Sequence, residues 1–381
     1  MADSADRTRP HILHVHGSFN LGGKEARAVQ LINIWGDKAR HSIVSADPEA
    51  MGARAAIGPG VAVDYPDGPS FAGKPGLARY KVITAFLKQF DLILTYNWGS
   101  MDAVMAHRLA GTSAGLPPLI HHEDGFNADE AVRLKTKRNL FRRLALQRAH
   151  GMVVPSVRLE TIARQVWKQP AHKVHLIRNG IDVARYALPP APDAIPGLRR
   201  SPGKLLVGTL AGLRPVKNIP RLVRAVAAHK DRLQLVVVGE GPEHDAILAE
   251  AARQGMGDIH MAGFMDRPWR FVGSFDIFAL SSDSEQFPIS LVEAMAAGVP
   301  VASMDVGDVA NMVATANQPY VVADEAGLAD ALGALAADAD LRAILGAANR
   351  ERATRDYAEK TMVAAYAALY GEALASPRIL L

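Results

Sequence analysis

The sequence predicts an α/β protein of two parallel-sheet domains facing across a cleft. Three observations carry this expectation: a length too great for one ordinary α/β core, short β-type runs alternating with helix-length segments, and a proline-rich break midway along the chain. With 381 residues and 49% apolar content, the chain can bury two independent cores, and a cleft between them is the starting expectation.

Ile12 to Val15 form an apolar run that ends in Gly17-Ser18-Phe19-Asn20-Leu21-Gly22-Gly23, and a helical pattern follows from Glu25 through Ala28, Leu31, Ile32 and Trp35. That order is strand, glycine loop, helix. Further β-type runs at Ser42 to Ser45, Leu92 to Tyr96, Leu119 to His121 and Met152 to Pro155 are separated by segments of helical apolar spacing. Such alternation builds a parallel sheet covered by helices. From Leu188 to Gly203 proline recurs, removing backbone donors and blocking regular structure, so a linker is expected there. The alternation restarts at Leu205 to Leu210, Leu235 to Val238, Ile259 to Ala262, Ile277 to Leu280 and Val299 to Ser303, interleaved with helices such as Ile219 to His229 and Ser290 to Ala297. The expected division is a first domain over 1–187, a linker over 188–203 and a second domain over 204–359. Beyond about Asp340 the chain reads as helical, and its closing helix, about 360–381, is free to pack back on the first domain.

The charge balance is mildly basic, 43 Lys and Arg against 39 Asp and Glu, which permits anionic ligands without demanding them. Cysteine is absent, so no disulfide forms and no thiolate serves as nucleophile or metal ligand. Met1 to Pro10 carry two aspartates and two arginines where a signal peptide would need an apolar stretch, and no apolar run reaches membrane-spanning length. The expectation is a soluble cytoplasmic chain, with the inner face of a membrane as a second expected address.

Chemistry concentrates between Ser281 and Gly298, where Glu285 falls in the loop after a buried strand and Glu293 inside the next helix. In an open parallel sheet, ligands bind beyond the carboxyl ends of the strands, where helix N-termini offer N–H groups and a positive dipole to phosphates. A carboxylate on the first helical turns can accept bonds from paired ribose hydroxyls, and one in the loop can reach a sugar. Glutamates are ordinarily solvated, but Leu291, Val292, Ala294 and Met295 around Glu293 leave it no polar face.

Glu285 and Glu293, with seven residues between them, followed by Ala294-Met295-Ala296-Ala297-Gly298-Val299-Pro300-Val301, resemble the hallmark of the family 4 retaining glycosyltransferases of GT-B fold, built from two Rossmann-like domains. Gly22-Gly23-x-Glu25, Val154-Pro155-Ser156, Asn179-Gly180-Ile181-Asp182 and Val238-Gly239-Glu240-Gly241-Pro242 match the family in the same order. The resemblance implies transfer of a sugar from a nucleotide-sugar donor to a saccharide or lipid-linked saccharide, as in polysaccharide biosynthesis. Glu293 would bind the donor ribose and Glu285 the transferred sugar.

The resemblance extends to Gly212-Leu213-Arg214-Pro215-Val216-Lys217-Asn218, whose family counterpart holds the donor diphosphate with an arginine and a lysine. Lys217 matches; Gly212 stands in the usual arginine place and Arg214 two positions later. In Ile120-His121-His122-Glu123-Asp124-Gly125-Phe126, the family's sugar-contacting histidine corresponds in place to Asp124, with His121 and His122 slightly earlier, and His122 and Asp124 stay equal candidates. Gly22 and Gly23 would let phosphates or an acceptor approach backbone N–H groups, or simply form a tight turn. Gly263 and Phe264 resemble the loop that meets the base, and Phe287 and Ile289, between the glutamates, complete the expected donor-binding set.

No cofactor and no metal is expected, because a fixed ammonium and guanidinium neutralise a leaving diphosphate without one. Asp338-Ala339-Asp340 has a metal-site spelling but lies in an alanine-rich helical stretch and reads as a helix end. From Ala131 to Arg148, Arg133, Lys135, Lys137, Arg138, Arg142, Arg143 and Arg148 interleave with apolar residues. This predicts a basic amphipathic helix with a solvated cationic face, the second reading being docking on anionic lipid. No nucleic acid is expected as a partner. A non-catalytic relative that only binds nucleotide-sugar, and a nucleotide-sugar epimerase on the same plan, are the competing functions.

Overall fold

The computed structural model describes residues 9–71, 73, 74, 76–126, 130 and 134–381. It divides into two compact units, one comprising Met1–Arg178 with Met362–Leu381, the other Asn179–Thr361. Residues 188–203, expected as a linker, thus fall within the second unit, where Ile195 is part of the core.

In the first unit the described elements are β1 (His11–His16), α1 (Gly23–Trp35), β2 (Arg40–Ser45), β3 (Val63–Asp64), α2 (Leu77–Leu87), β4 (Leu92–Tyr96), α3 (Met101–Ala110), β5 (Leu119–His122), α4 (Thr136–Ala145), β6 (Gly151–Val154), α5 (Val157–Gln165) and β7 (Val174–Leu176). The strands form one sheet in the order β3-β2-β1-β4-β5-β6-β7, every neighbouring pair parallel. Interior strands such as Leu92-Ile93-Leu94-Thr95-Tyr96 are buried along their whole length, as a sheet covered on both faces requires. Ser156 caps α5 by accepting from the Leu159 N–H at 3.2 Å, which ends the strand and starts the helix within a few residues.

The second unit holds β8 (Leu205–Leu210), α6 (Ile219–Ala227), β9 (Leu233–Val238), α7 (His244–Arg253), β10 (His260–Gly263), β11 (Ile277–Leu280), α8 (Ile289–Ala296), β12 (Val301–Met304), α9 (Val309–Met312), β13 (Val321–Val322), α10 (Glu325–Ala337) and α11 (Ala339–Asp356). Its sheet runs β10-β9-β8-β11-β12-β13, again parallel throughout. Asp338 is the N-cap of α11, accepting from the Leu341 N–H at 2.9 Å.

The last helix, α12 (Glu359–Ala373), packs back onto the first sheet: Met362, Tyr366 and Tyr370 share a buried cluster with Ile12, Trp35, Leu92, Leu94 and Tyr96. Among the described residues no helix is long and apolar enough to cross a membrane.

Candidate functional site

In the second unit, loops leaving the carboxyl ends of neighbouring strands are tied to one another by backbone. The Leu213 N–H after β8 donates to the Glu240 carbonyl after β9 at 2.8 Å. Gly239 holds φ +140°, and a side chain there would bring its Cβ within 1.8 Å of the Ala211 carbonyl oxygen, so only glycine permits this approach. The Asp283 N–H after β11 donates to the Val216 carbonyl at 2.8 Å, and Ser281 Oγ donates to the Lys217 carbonyl at 3.0 Å. After β12, Gly307 at φ +62° lies so close that its Cβ would sit 2.1 Å from the Glu285 carbonyl oxygen. The switch point of this sheet, between β8 and β11, is the place where such a fold binds ligands.

Two of the expected residues meet there. Lys217 Nζ donates to Glu285 Oε1 at 2.5 Å, with both side chains mostly but not wholly buried. Ser282 Oγ donates to the same oxygen at 2.7 Å. The loop carrying Lys217 is fixed further by Asn218 and Arg221, both of which reach Asp283. A preformed ammonium and carboxylate held on facing loops can meet a ligand's negative and hydroxyl groups respectively without reorganising.

Glu293 lies in the second turn of α8, where every residue from Leu291 to Ala296 is buried. The residue is 9% exposed, and its Oε1 accepts from the Tyr186 hydroxyl at 3.0 Å. Burial pushes this carboxyl up to about 7, while the bond from Tyr186 pulls the other way. The Tyr186 hydroxyl is raised by burial and then by the neighbouring carboxyl. An acid held in this way can exchange a proton for a ligand's hydroxyl donors near neutrality.

Other members of the expected set differ in kind. Arg214 is exposed and its guanidinium bonds no described residue. Gly263 takes φ +70°, and the next N–H, of Phe264, donates to Glu240 Oε1 at 3.2 Å while the Phe264 ring is 72% exposed. Phe287 is in the core, edge-on to Tyr357 with centroids 5.7 Å apart, and Ile289 opens α8 half-buried.

In the first unit the structure separates the two equal candidates. His122 is 1% exposed; Nδ1 meets the Thr95 carbonyl at 3.2 Å and Nε2 the Tyr370 hydroxyl at 2.7 Å. Burial, followed by the Arg27 guanidinium, holds its imidazole far below the usual histidine range, so it is a neutral core group. Asp124 is half-buried and pairs with Arg27 through two bonds, one of them 2.8 Å, while its N–H donates to Asn97 Oδ1 at 2.7 Å. Gly22 and Gly23 are exposed at the start of α1, with no atom within 4 Å of a Cβ placed on Gly23. Beside them Lys24 donates to the Ser18 carbonyl at 3.2 Å and pairs with Glu25; burial lowers its ammonium to about 8. His16, fully buried on this strand and stacked on Tyr96, has neither ring nitrogen hydrogen-bonded.

The basic stretch needs a correction. Residues 131–133 lie outside the described residues, and α4 covers Thr136–Ala145. Arg142, expected on a cationic face, is fully buried between the rings of Trp98, Phe126 and Trp167. It pairs with Glu123 at 3.1 Å and Glu130 at 3.2 Å, and Arg138 also reaches Glu130. Lys135, Lys137, Arg143 and Arg148 remain exposed. Sequence reasoning missed Tyr186, Ser282 and Glu130; Ser282 alone lay inside a motif that could have flagged it.

Two Rossmann-like units, each built on one parallel sheet, define the GT-B class. Solved structures show the same fold: Anabaena Alr3699/HepE in complex with UDP superposes with a TM-score of 0.77, 20% identity, and coverage of 95% of this chain and 100% of that one. WaaG, a glycosyltransferase involved in lipopolysaccharide biosynthesis, gives 0.62 at 16% identity, covering 90% and 95%. The model for Glycosyltransferase Family 4 matches residues 21–185 and that for Glycosyl transferases group 1 matches residues 202–338. The chain belongs to the group 1, family 4 glycosyltransferases. Among curated relatives, EpsF of Bacillus subtilis (strain 168) is 31% identical over 227 residues, 53% of this chain and 57% of that one. The GDP-mannose-dependent alpha-mannosyltransferase of Mycolicibacterium smegmatis is 35% identical over 150 residues, 37% of this chain and 36% of that protein. The matches thus span about half the length of these relatives or less.

Proposed function

We propose that this chain is a retaining glycosyltransferase that moves a sugar from a nucleotide-sugar donor to a saccharide or lipid-linked saccharide, without a metal. The observation that carries the reading is the Lys217–Glu285 pair, fixed by Ser282 at the switch point of the second sheet. Lys217, with Arg214, neutralises the donor diphosphate; Glu285 meets the transferred sugar; Glu293 receives the ribose hydroxyls. The acceptor hydroxyl attacks the anomeric carbon on the face the diphosphate leaves, the bond from that carbon to the diphosphate oxygen breaks, and the acceptor proton passes to the departing oxygen. The protein's part is to orient both partners and shield an oxocarbenium-like state from water. Support comes from one relative whose name includes GDP-mannose and from the fold neighbour held with UDP-glucose.

Thermal shift against UDP-, GDP- and ADP-sugars identifies the donor, and transfer or donor hydrolysis by the purified chain tests catalysis. We expect Lys217→Ala to lower kcat by roughly 10²–10³, the size of losing one preorganised charge stabiliser, and turnover to persist in EDTA. Full activity in that variant overturns the clamp. Binding without any turnover favours the non-catalytic alternative.

A second reading concerns the acceptor's address. Leu140 and Leu144 are exposed beside Lys137 and Arg143, which supports docking of the first unit on anionic lipid. Co-sedimentation with liposomes that does not depend on anionic lipid removes it.

A further inference from the structure

Glu293 lacks the partner that a buried carboxylate needs. Of the elements packed against α8, β11, β12 and the turn Val272–Ser274 carry no ionisable side chain. From α11, Arg350 goes to the Ala297 carbonyl at 2.6 Å, Arg342 to the Leu335 carbonyl, and Arg352 and Arg355 to Asp356. From the turn Val183–Ala187, Arg185 pairs with Asp182 at 2.8 Å and lies over the Trp269 ring. Among the described residues the Tyr186 hydroxyl is the one donor to Glu293, and only to Oε1. Burying a carboxylate with a single neutral donor is costly, and the second oxygen takes no hydrogen bond from a described residue.

Tyr186 is built to stay in place. Its ring is 6% exposed and packs in the cluster of Phe271, Phe287, Leu291 and Tyr357. The apolar packing fixes the ring, and the ring fixes the hydroxyl; a phenylalanine would fill the same space without the bond.

We propose that Tyr186 is a positioning residue for the donor: its hydroxyl turns the Glu293 carboxyl so that the second oxygen faces the paired hydroxyls of a nucleotide's ribose. The inference rests on the reading of Glu293 as the ribose acceptor. A consequence in pH follows. Ribose hydroxyls donate to the ionised carboxylate, so nucleotide affinity is full above the carboxyl's midpoint and falls as pH drops through it. Burial sets that midpoint up to about 7, and the Tyr186 bond works to lower it. Removing the bond therefore moves the midpoint to higher pH.

The test is the dissociation constant of UDP, GDP and ADP from pH 5.5 to 9 by calorimetry, for the unaltered chain, Tyr186→Phe, Glu293→Gln and the double variant, each first checked for an unchanged melting profile in form. For the unaltered chain, affinity should fall on acidification through about 7. Tyr186→Phe should bind roughly fivefold more weakly at pH 7, the ionised fraction lost when the midpoint rises by about one pH unit, recover toward the parent by pH 9, and show a midpoint displaced upward. In the Glu293→Gln background the same change should leave the profile flat. A Tyr186→Phe curve with the parent's midpoint overturns the positioning role alone. If the unaltered chain binds none of the three nucleotides, the donor reading falls and this inference with it.

Discussion

At the strand ends of the first unit the buried Arg142 guanidinium is closed on two carboxylates; in the second unit the buried Glu293 carboxyl keeps spare bonding capacity. Arg142 spends its guanidinium on Glu123 and Glu130, and Asp124 is taken up by Arg27. Glu293, in contrast, has one hydroxyl on one oxygen. A closed network stabilises the protein, whereas an open one holds its unsatisfied groups ready for a ligand. The difference teaches which charged clusters to read as architecture and which as a site.

Breaking the closed side should give the largest effect. Arg142→Ala leaves Glu123 and Glu130, 0% and 2% exposed, without their shared cation, and breaking such a pair costs about 3–5 kcal/mol. For a unit of this size that is a fall in melting temperature on the order of 10 °C, followed by circular dichroism. A drop of a degree or two would place Arg142 among the solvated cations the sequence first suggested.

The open side should respond with the opposite sign. The Glu293 carboxyl, raised by burial from 4.5 to about 7, holds its proton better folded than unfolded. Its contribution to stability is complete below the unfolded value and is lost as pH rises through about 7. Glu293→Gln, which keeps the Tyr186 bond and carries no charge, should be more stable than the unaltered ligand-free chain at pH 8.5, by up to about 3 kcal/mol, and nearly equal to it at pH 4.5. Calorimetric melting at the two values checks this. Equal melting at both values would mean the carboxyl is solvated after all.

How much of this was legible follows from the same contrast. Interior strands announce themselves as apolar runs, and each was read within a residue or two at most ends. The missed strands, Val63–Asp64, Val174–Leu176 and Val321–Val322, all sit at sheet edges, where two or three residues carry no periodicity. Glu285, Glu293 and Lys217 could be singled out because they sit in local motifs, and the structure brings Lys217 and Glu285 into contact. Tyr186 was not, being 107 residues from Glu293 and joined to it only by packing. The burial of Arg142 was hidden for a similar reason: Glu130 stands just outside the basic run and Glu123 in another loop, so composition alone read the helix as a cationic face.

Arg214 sharpens the comparison at its smallest scale. It stands on the β8 loop two positions after Gly212, three before Lys217, and it is exposed, so any ion pair it forms with a diphosphate is partly screened by water. Such a pair is worth up to about 1 kcal/mol, or roughly fivefold in affinity, and less as salt rises. Arg214→Ala should therefore weaken a nucleoside diphosphate by about that factor at low ionic strength and leave the corresponding nucleoside unchanged, since a clamp residue acts on phosphate and not on ribose or base. Titrations of both ligands at two salt concentrations separate the cases. Equal weakening of nucleoside and diphosphate would assign Arg214 to the shape of the loop; no weakening of either would leave Lys217 to carry the diphosphate alone.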